Sequence, residues 1–170
     1  MEIRKAKSGD ESKLIELFKH LDKETDFMIF EPGERKTTAS EQSELIDKFS
    51  NSENHLLLVL SNNEGEIIGF LGSTKGQTNK TKYTASFVTG ILKKYWGNNH
   101  GASLLIALEE WAIQTNTHRL EMTVIESNNR AKQLYINNGF EIEGIKKDSM
   151  KINNKFHNEL YMSKLLPHKT

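Results

Sequence analysis

Between Phe87 and Ala112 the chain changes period without a pause. An apolar, β-like run, Phe87 to Leu92, enters the Gly- and Asn-rich segment Tyr95-Trp96-Gly97-Asn98-Asn99-His100-Gly101-Ala102. That segment runs straight into Ser103-Leu104-Leu105-Ile106-Ala107-Leu108-Glu109-Glu110-Trp111-Ala112, which reads as a strongly amphipathic helix. A strand, a tight loop and a helix start in succession restrict the fold to mixed α/β arrangements. They also build an anion site, because the first N–H groups of a helix have no internal partner and the helix dipole adds positive charge there. A ligand carrying a pyrophosphate fits such a loop, so a phosphorylated cofactor is expected.

Bulk properties narrow the setting. A chain of 170 residues with 36% hydrophobic and 27% charged residues can bury one sizeable core, so residues 1–170 read as a single domain. No apolar run approaches the length of a membrane helix, and the charged start Met1-Glu2-Ile3-Arg4-Lys5-Ala6-Lys7 has no apolar stretch behind it; neither a span nor a secretory leader is expected. Basic and acidic residues number 23 each, so no basic field for nucleic acid exists; Lys93-Lys94 and Lys146-Lys147 read as solvated faces. With no cysteine there is no disulfide, no thiolate metal site and no cysteine nucleophile, and the cytoplasm is the expected compartment. The six histidines (20, 55, 100, 118, 157, 168) show no metal spacing, so no metal is expected.

The order of elements is legible from period and punctuation. Ile3 to Lys7 alternates as a first strand. Asp10 is placed to cap a helix carrying Leu14, Ile15, Leu17, Phe18 and Leu21. Thr38 and Glu41 form a capping box for a second helix with Leu45, Ile46 and Phe49. His55 to Leu60 and Ile67 to Gly72 flank the turn Asn62-Asn63-Glu64-Gly65 as a hairpin, which Tyr83 to Leu92 extends. A helix from about His100 to Thr115 follows, then a strand marked by Leu120, Met122 and Val124. Asn128 caps a helix bearing Ala131, Leu134 and Tyr135, closed by Asn138-Gly139. Strands beginning at Phe140 and containing Glu159 to Met162 end the chain. The expected class is α/β, with a mixed, mostly antiparallel sheet of seven strands and about four helices.

Two stretches carry a family resemblance. The strand–loop–helix from Gly90 to Ala102 is one. The other, more specific, is Asn128-Asn129-Arg130-Ala131-Lys132-Gln133-Leu134-Tyr135-Ile136-Asn137-Asn138-Gly139-Phe140. Together they resemble the GCN5-related N-acetyltransferase superfamily, whose second motif reads N-x-R-A-x-x-L-Y-x-x-x-G-F. The C-terminal strands, Gly144 to Asp148 and Tyr161 to Leu165, are similar to the subgroup of ribosomal-protein and small-amine acetyltransferases. The phosphate loop departs from the family's Q/R-x-x-G-x-G/A: Trp96 stands where Arg or Gln is common and Asn99 where Gly is common, while Gly101 keeps the last position. Backbone N–H groups survive both changes, and Asn tolerates left-handed φ.

The resemblance implies a central strand pair that splays apart, with acetyl-CoA as cosubstrate lying in the gap. It assigns the cofactor's pyrophosphate to the N–H groups from Gly97 to Ala102 (Gly97, Asn98, Asn99, His100, Gly101 and Ala102), with Trp96 placed to cover part of the cofactor. The strand end Gly90, Ile91 and Leu92 takes the thioester, with an N–H near Ile91 or Leu92 aimed at the thioester oxygen. Asn128 and Ala131 lie along the pantetheine arm. It implies that Tyr135 also binds the cofactor and is the catalytic acid that protonates the departing thiolate. Read without the resemblance, the same residues allow an ordinary strand-to-helix turn, a β-bulge at Gly90, a plain helix cap at Asn128 and a packed Tyr135. No general base stands out: Gln77 to Trp96 contains no Asp or Glu. Glu121 is on the next strand, Glu31 and Glu34 in the irregular segment are placed to bind a cationic acceptor, and a water chain is a further route.

The reading is an N-acetyltransferase in which an amine attacks acetyl-CoA directly in a ternary complex. The acceptor, a small amine or a protein N-terminus, and the pairing of the chain as monomer or homodimer stay open; the last strands and the helix of Trp111 are the surfaces a dimer would use. One alternative is a non-catalytic acyl-CoA sensor or interaction module on the same fold. A nucleotide-binding module of another kind ranks behind both, because no G-K-[ST] follows the strand.

Overall fold

The computed structural model describes residues 1–167, so His168 lies outside the described residues. Seven strands and four α-helices occur among the described residues, in the order β1 Glu2–Lys5, α1 Glu11–Glu24, α2 Ala39–Ser50, β2 His55–Ser61, β3 Ile67–Lys75, β4 Thr84–Ile91, α3 His100–Gln114, β5 Arg119–Ile125, α4 Asn129–Asn137, β6 Glu141–Ile152 and β7 Lys155–Leu165. The strands form one sheet in the order β1-β2-β3-β4-β5-β7-β6. Every pairing is antiparallel except β4–β5.

Strand alternation divides the apolar residues between two cores. Leu56, Leu58, Leu71, Phe87, Leu120, Met122, Leu160 and Met162 pack under Leu104, Leu105 and Leu108 of α3 and Tyr135 of α4. Leu57, Val59, Ile67 and Phe70 face the other way, against Leu14, Leu17 and Leu21 of α1 and Ile46 of α2. β2 is buried along its whole length for this reason, which explains why His55 to Leu60 reads as a continuous apolar run rather than an alternating one.

Caps set the helix boundaries. Thr38 Oγ1 accepts from Glu41 N at 3.2 Å while Glu41 Oε2 accepts from Thr38 N at 2.8 Å, the expected reciprocal box. Asn128 Oδ1 accepts from Ala131 N at 3.2 Å, and Gly139 leaves α4 at φ +84°. Asp10 behaves otherwise than expected. Its carboxylate does not cap α1 but takes both guanidinium nitrogens of Arg4, at 2.7 and 2.9 Å, and Lys7 N at 2.9 Å. A charged bidentate partner outbids a neutral helix N–H for the same oxygens.

Two further expectations need correction. β1 ends at Lys5, because Ala6 turns its N–H to Leu57 O and the chain leaves the sheet. α3 is less amphipathic than expected: Ile106 and Ile113 sit on its exposed face. Trp111 of the same helix is buried in the core.

Candidate active site

β4 and β5 pair in parallel over only three positions, Thr84↔Arg119, Ala85↔Leu120 and Ser86↔Glu121. Beyond Ser86 the two strands part, while β4 stays paired to β3 as far as Ile91. No register shift interrupts β3–β4 at Gly90, so the glycine does not mark a bulge there. It permits close approach instead: a Cβ on Gly90 would stand 3.0 Å from both Leu21 Cδ1 and Phe70 Cε1.

The ladder decides which backbone groups face the gap. Leu92 N donates to Ile68 O at 2.9 Å, so that N–H is committed to the β3 side. Antiparallel hydrogen bonding alternates, so Thr89 and Ile91 turn their backbone N–H and C=O toward β5, where no strand meets them. The Ile91 carbonyl is taken by Trp96 Nε1 at 2.7 Å. The Ile91 N–H is left facing the opening. Of the two N–H groups expected near the thioester, that of Leu92 is thus bound to β3 and only that of Ile91 faces the opening. A strand edge with free amide groups accepts an extended, amide-bearing chain.

At the end of the gap the loop delivers the start of α3. Gly97 (φ +83°) and Asn99 (φ +58°) both adopt left-handed backbone, which places the N–H groups of His100, Gly101 and Ala102 in the first helical turn without intrahelical acceptors. Gly101 lets α4 come close: a Cβ there would lie 2.8 Å from Leu134 Cδ2. The cation missing from position 96 arrives from α4. The Arg130 guanidinium stacks 4.2 Å from the centroid of the Trp96 ring, and Lys93 Nζ lies 5.9 Å from the same centroid. Two positive charges thus flank the loop.

A cleft of about 1300 Å³ joins these features. Gly90, Ile91, Trp96, Gly97, Asn99, His100, Gly101, Asn128, Ala131, Tyr135 and Glu34 line it. Leu92, Asn98, Ala102 and Glu31 are not in its wall. Asn98 folds onto its own loop, with Nδ2 3.3 Å from Trp96 O, and Glu31 contributes its backbone N–H to Glu34 Oε2 at 2.9 Å.

Tyr135 is 6% exposed, wedged between the rings of Phe87 (centroids 6.0 Å) and Phe140 (5.8 Å) in edge-on contacts. Burial pushes its phenol well above the ordinary tyrosine range, so the group keeps its proton at neutral pH. Among the base candidates, Glu121 is tied to Arg119 Nε at 2.7 Å, and Arg119 also holds Glu143. The cleft contains one carboxylate that sequence reasoning missed. Glu159, on β7, is 9% exposed and accepts from Thr123 Oγ1 at 2.8 Å, with Lys146 Nζ 3.4 Å from its other oxygen. Burial raises its pKa, but hydrogen bonds from Ser149 and Thr123 together with the Lys146 charge outweigh it, leaving the carboxyl below its usual range. The signal was the alternation Glu159-Leu160-Tyr161-Met162, which sends the glutamate to the face opposite the core once β7 is known to lie beside β5. No group of metal-ligating side chains occurs among the described residues, and no helix there is long and apolar enough to cross a membrane.

Residues 16–140 match the model of the acetyltransferase (GNAT) family. An acetyltransferase of that family from Streptococcus pneumoniae superposes with a TM-score of 0.93 at 30% identity, covering 97% of this chain and 99% of that one. The ribosomal-protein-alanine N-acetyltransferase of Brucella melitensis gives 0.85 at 19% identity over 98% and 100% of the two chains. YncA of Salmonella typhimurium, solved with its cofactor acetyl-CoA, gives 0.86 at 17% identity over 99% and 95%. No curated protein matches.

Proposed function

Since the chain belongs to the acetyltransferase (GNAT) family, we propose that it transfers the acetyl group of acetyl-CoA to a primary amine by direct attack within a ternary complex, in the cytoplasm. The observation that carries this reading is the parting of β4 and β5 after three paired positions, with the Ile91 N–H turned into the opening that Tyr135 lines.

In this reading the pantetheine arm lies along the edge of β4 that β5 leaves free, and the Ile91 N–H is kept for the thioester oxygen. The pyrophosphate meets the N–H groups from Gly97 to Ala102, and Arg130 adds a cation. The helix start and the guanidinium fit an anion by charge, and the loop's left-handed residues bring the backbone close. Attack of the amine nitrogen on the thioester carbon forms the C–N bond and places negative charge on the carbonyl oxygen. A preorganised Ile91 N–H stabilises that charge. As the C–S bond breaks, the protonated phenol of Tyr135 donates to the sulfur, and the phenolate recovers a proton from the new amide nitrogen.

Calorimetric titration with acetyl-CoA, with ATP and NAD as controls, tests the first half. Release of free CoA thiol on adding an amine tests the second. Saturable binding of acetyl-CoA alone, followed by amine-dependent thiol release, is the expected result. Binding without release under any amine would make the chain an acyl-CoA sensor. No binding would remove the assignment altogether.

A further inference from the structure

The gap between β4 and β5 opens on both faces of the sheet. α3 and α4 cover one face, where the cofactor loop lies; the other is framed by α1, α2 and the β6–β7 pair. Leu120, Met122 and Val124 of β5 and Leu160 and Met162 of β7 point into the α3 core. Thr123 and Glu159 therefore point to the opposite face, and their 2.8 Å hydrogen bond joins the two strands there. Continuing the Ser86↔Glu121 register across the gap by four residues sets Gly90 level with Ile125, and Ile125 is the β7 partner of Glu159. The Glu159 carboxylate thus stands one strand away from the opening, at the level where the Ile91 N–H waits.

The rest of this face is unusually apolar for a surface. Phe27 (41% exposed), Ile29 (75%), Phe30 (37%), Leu45 (41%) and Val88 (64%) all line the same cleft. Large apolar side chains gathered in one concave wall mark a ligand site rather than ordinary surface. The one guanidinium in this wall, Arg35, is spent: Asp22 holds it by two hydrogen bonds of 2.7 and 2.9 Å, and it stacks on Phe18 and Phe30 at 4.9 and 4.5 Å. It stiffens the wall without offering a free charge. Gln42, 3% exposed in the same wall, has an Nε2 with no hydrogen-bond partner, a donor that a ligand oxygen or water would satisfy.

Of the three carboxylates in the cleft, two are used locally. Glu34 accepts from Glu31 N and Glu41 caps α2, and both are exposed. Glu159 is the buried one, and its neighbour Lys146 is half-exposed, a solvent-facing cation that an incoming ammonium would displace. A carboxylate offers about four lone-pair sites, so the Thr123 bond leaves capacity for a second donor.

We infer that the acceptor is a monoamine with an apolar, aromatic-sized body, bound on the face opposite α3 with its ammonium at Glu159 and its body in the trough of Phe27, Phe30, Leu45 and Val88. The inference rests on the acetyltransferase reading and names the substrate class of that same site. Glu159 holds the ammonium as its ion-pair partner, and the bound amine loses one proton to water. The neutral nitrogen then attacks, the C–N bond forms, the C–S bond breaks, and the second proton replaces the one Tyr135 gives to the thiolate.

The test uses the full chain and three acceptors at neutral pH: phenethylamine (cationic, aromatic), spermidine (cationic, without an apolar body) and phenylacetohydrazide (aromatic, with an uncharged amine). CoA release reports activity, and acetyl-CoA affinity by calorimetry reports folding and the cofactor half of the site. Phenethylamine should exceed spermidine in kcat/KM by about tenfold or more, the discrimination a few apolar contacts supply. Glu159→Gln should raise KM for phenethylamine by about tenfold or more, leaving the hydrazide within about threefold and acetyl-CoA affinity unchanged, because only the charged acceptor loses its partner. Leu45→Ser should raise KM for both aromatic acceptors together. A preference for spermidine, or equal losses of both aromatic acceptors in Glu159→Gln, would overturn the inference and leave the acetyltransferase reading standing. Acetyl-CoA binding without release by any of the three would overturn it as well, and failure to bind acetyl-CoA would remove both.

Discussion

The Arg130 guanidinium lies over the face of Trp96, 4.2 Å from the ring centroid, while the indole Nε1 donates to Ile91 O at 2.7 Å. One tryptophan thus ties the end of β4 to the first turn of α4 and holds a cation beside the loop. The side chain that departs most from the family's loop pattern is the one that brings the charge back from another helix. A cation–π contact of this kind is worth about 0.5–2 kcal/mol. Arg130 is exposed, so its charge beside the loop acts as a solvent-screened ion pair, and Arg130→Gln should weaken acetyl-CoA by up to about fivefold, more at low salt than at high salt. Calorimetry at two ionic strengths checks this, and an affinity independent of Arg130 would show that the stack serves packing alone.

Asn99 holds φ +58° at the N-cap of α3 without a side-chain cap bond. The backbone conformation, not the amide, is what the position needs. Asn99→Gly should leave thermal stability unchanged or raised, whereas Asn99→Ala should cost about 1 kcal/mol. Unfolding curves of the two variants measure it, and an equal loss in both would assign the role to the amide.

Asp10 fastens the start of α1 to β1 through Arg4. The hydrogen bond from Arg4 holds its carboxyl below the usual range; burial works against it and the Lys7 N–H with it. A lowered carboxyl pKa contributes stability that is complete above the unfolded value near pH 4 and is lost as pH falls through the folded value. Asp10→Asn should cost about 1–3 kcal/mol at neutral pH and flatten the acid limb of the stability curve below about pH 4. Urea titrations at pH 7 and pH 3 compare the two forms directly.

Much of this was readable locally. The Thr38–Glu41 box, the Asn128 cap and the Asn138-Gly139 stop depend on residues within four positions of one another, and the element order follows from them. The same local rule puts Asp10 at the N-cap of α1, where it sits, but misses its side-chain partner, because Arg4 competes from the preceding strand. What sequence alone could not supply is long-range. Arg130 meets Trp96 across 34 positions. Glu159 reaches the cleft only because β7 inserts between β5 and β6. The commitment of the Leu92 N–H, and hence the freedom of Ile91, depends on the register of β3 against β4.

Burial keeps the Tyr135 phenol protonated beyond its ordinary range near pH 10, so the acid is not lost first as pH rises. The acceptor amine loses its proton over the same interval. kcat/KM for a simple amine should therefore climb from neutral pH with no descending limb below about pH 10. A bell with an alkaline fall near pH 8 would assign the acid to another group.

The most direct test of the central claim is the rate of CoA release at saturating acetyl-CoA, with and without an amine, in the wild type and in Tyr135→Phe. The account predicts amine-dependent release in the wild type and a kcat lower by about 10²–10⁴-fold in the variant, with acetyl-CoA affinity unchanged. Equal rates in the two proteins would contradict the role of Tyr135, and no amine-dependent release from the wild type would contradict the enzyme itself.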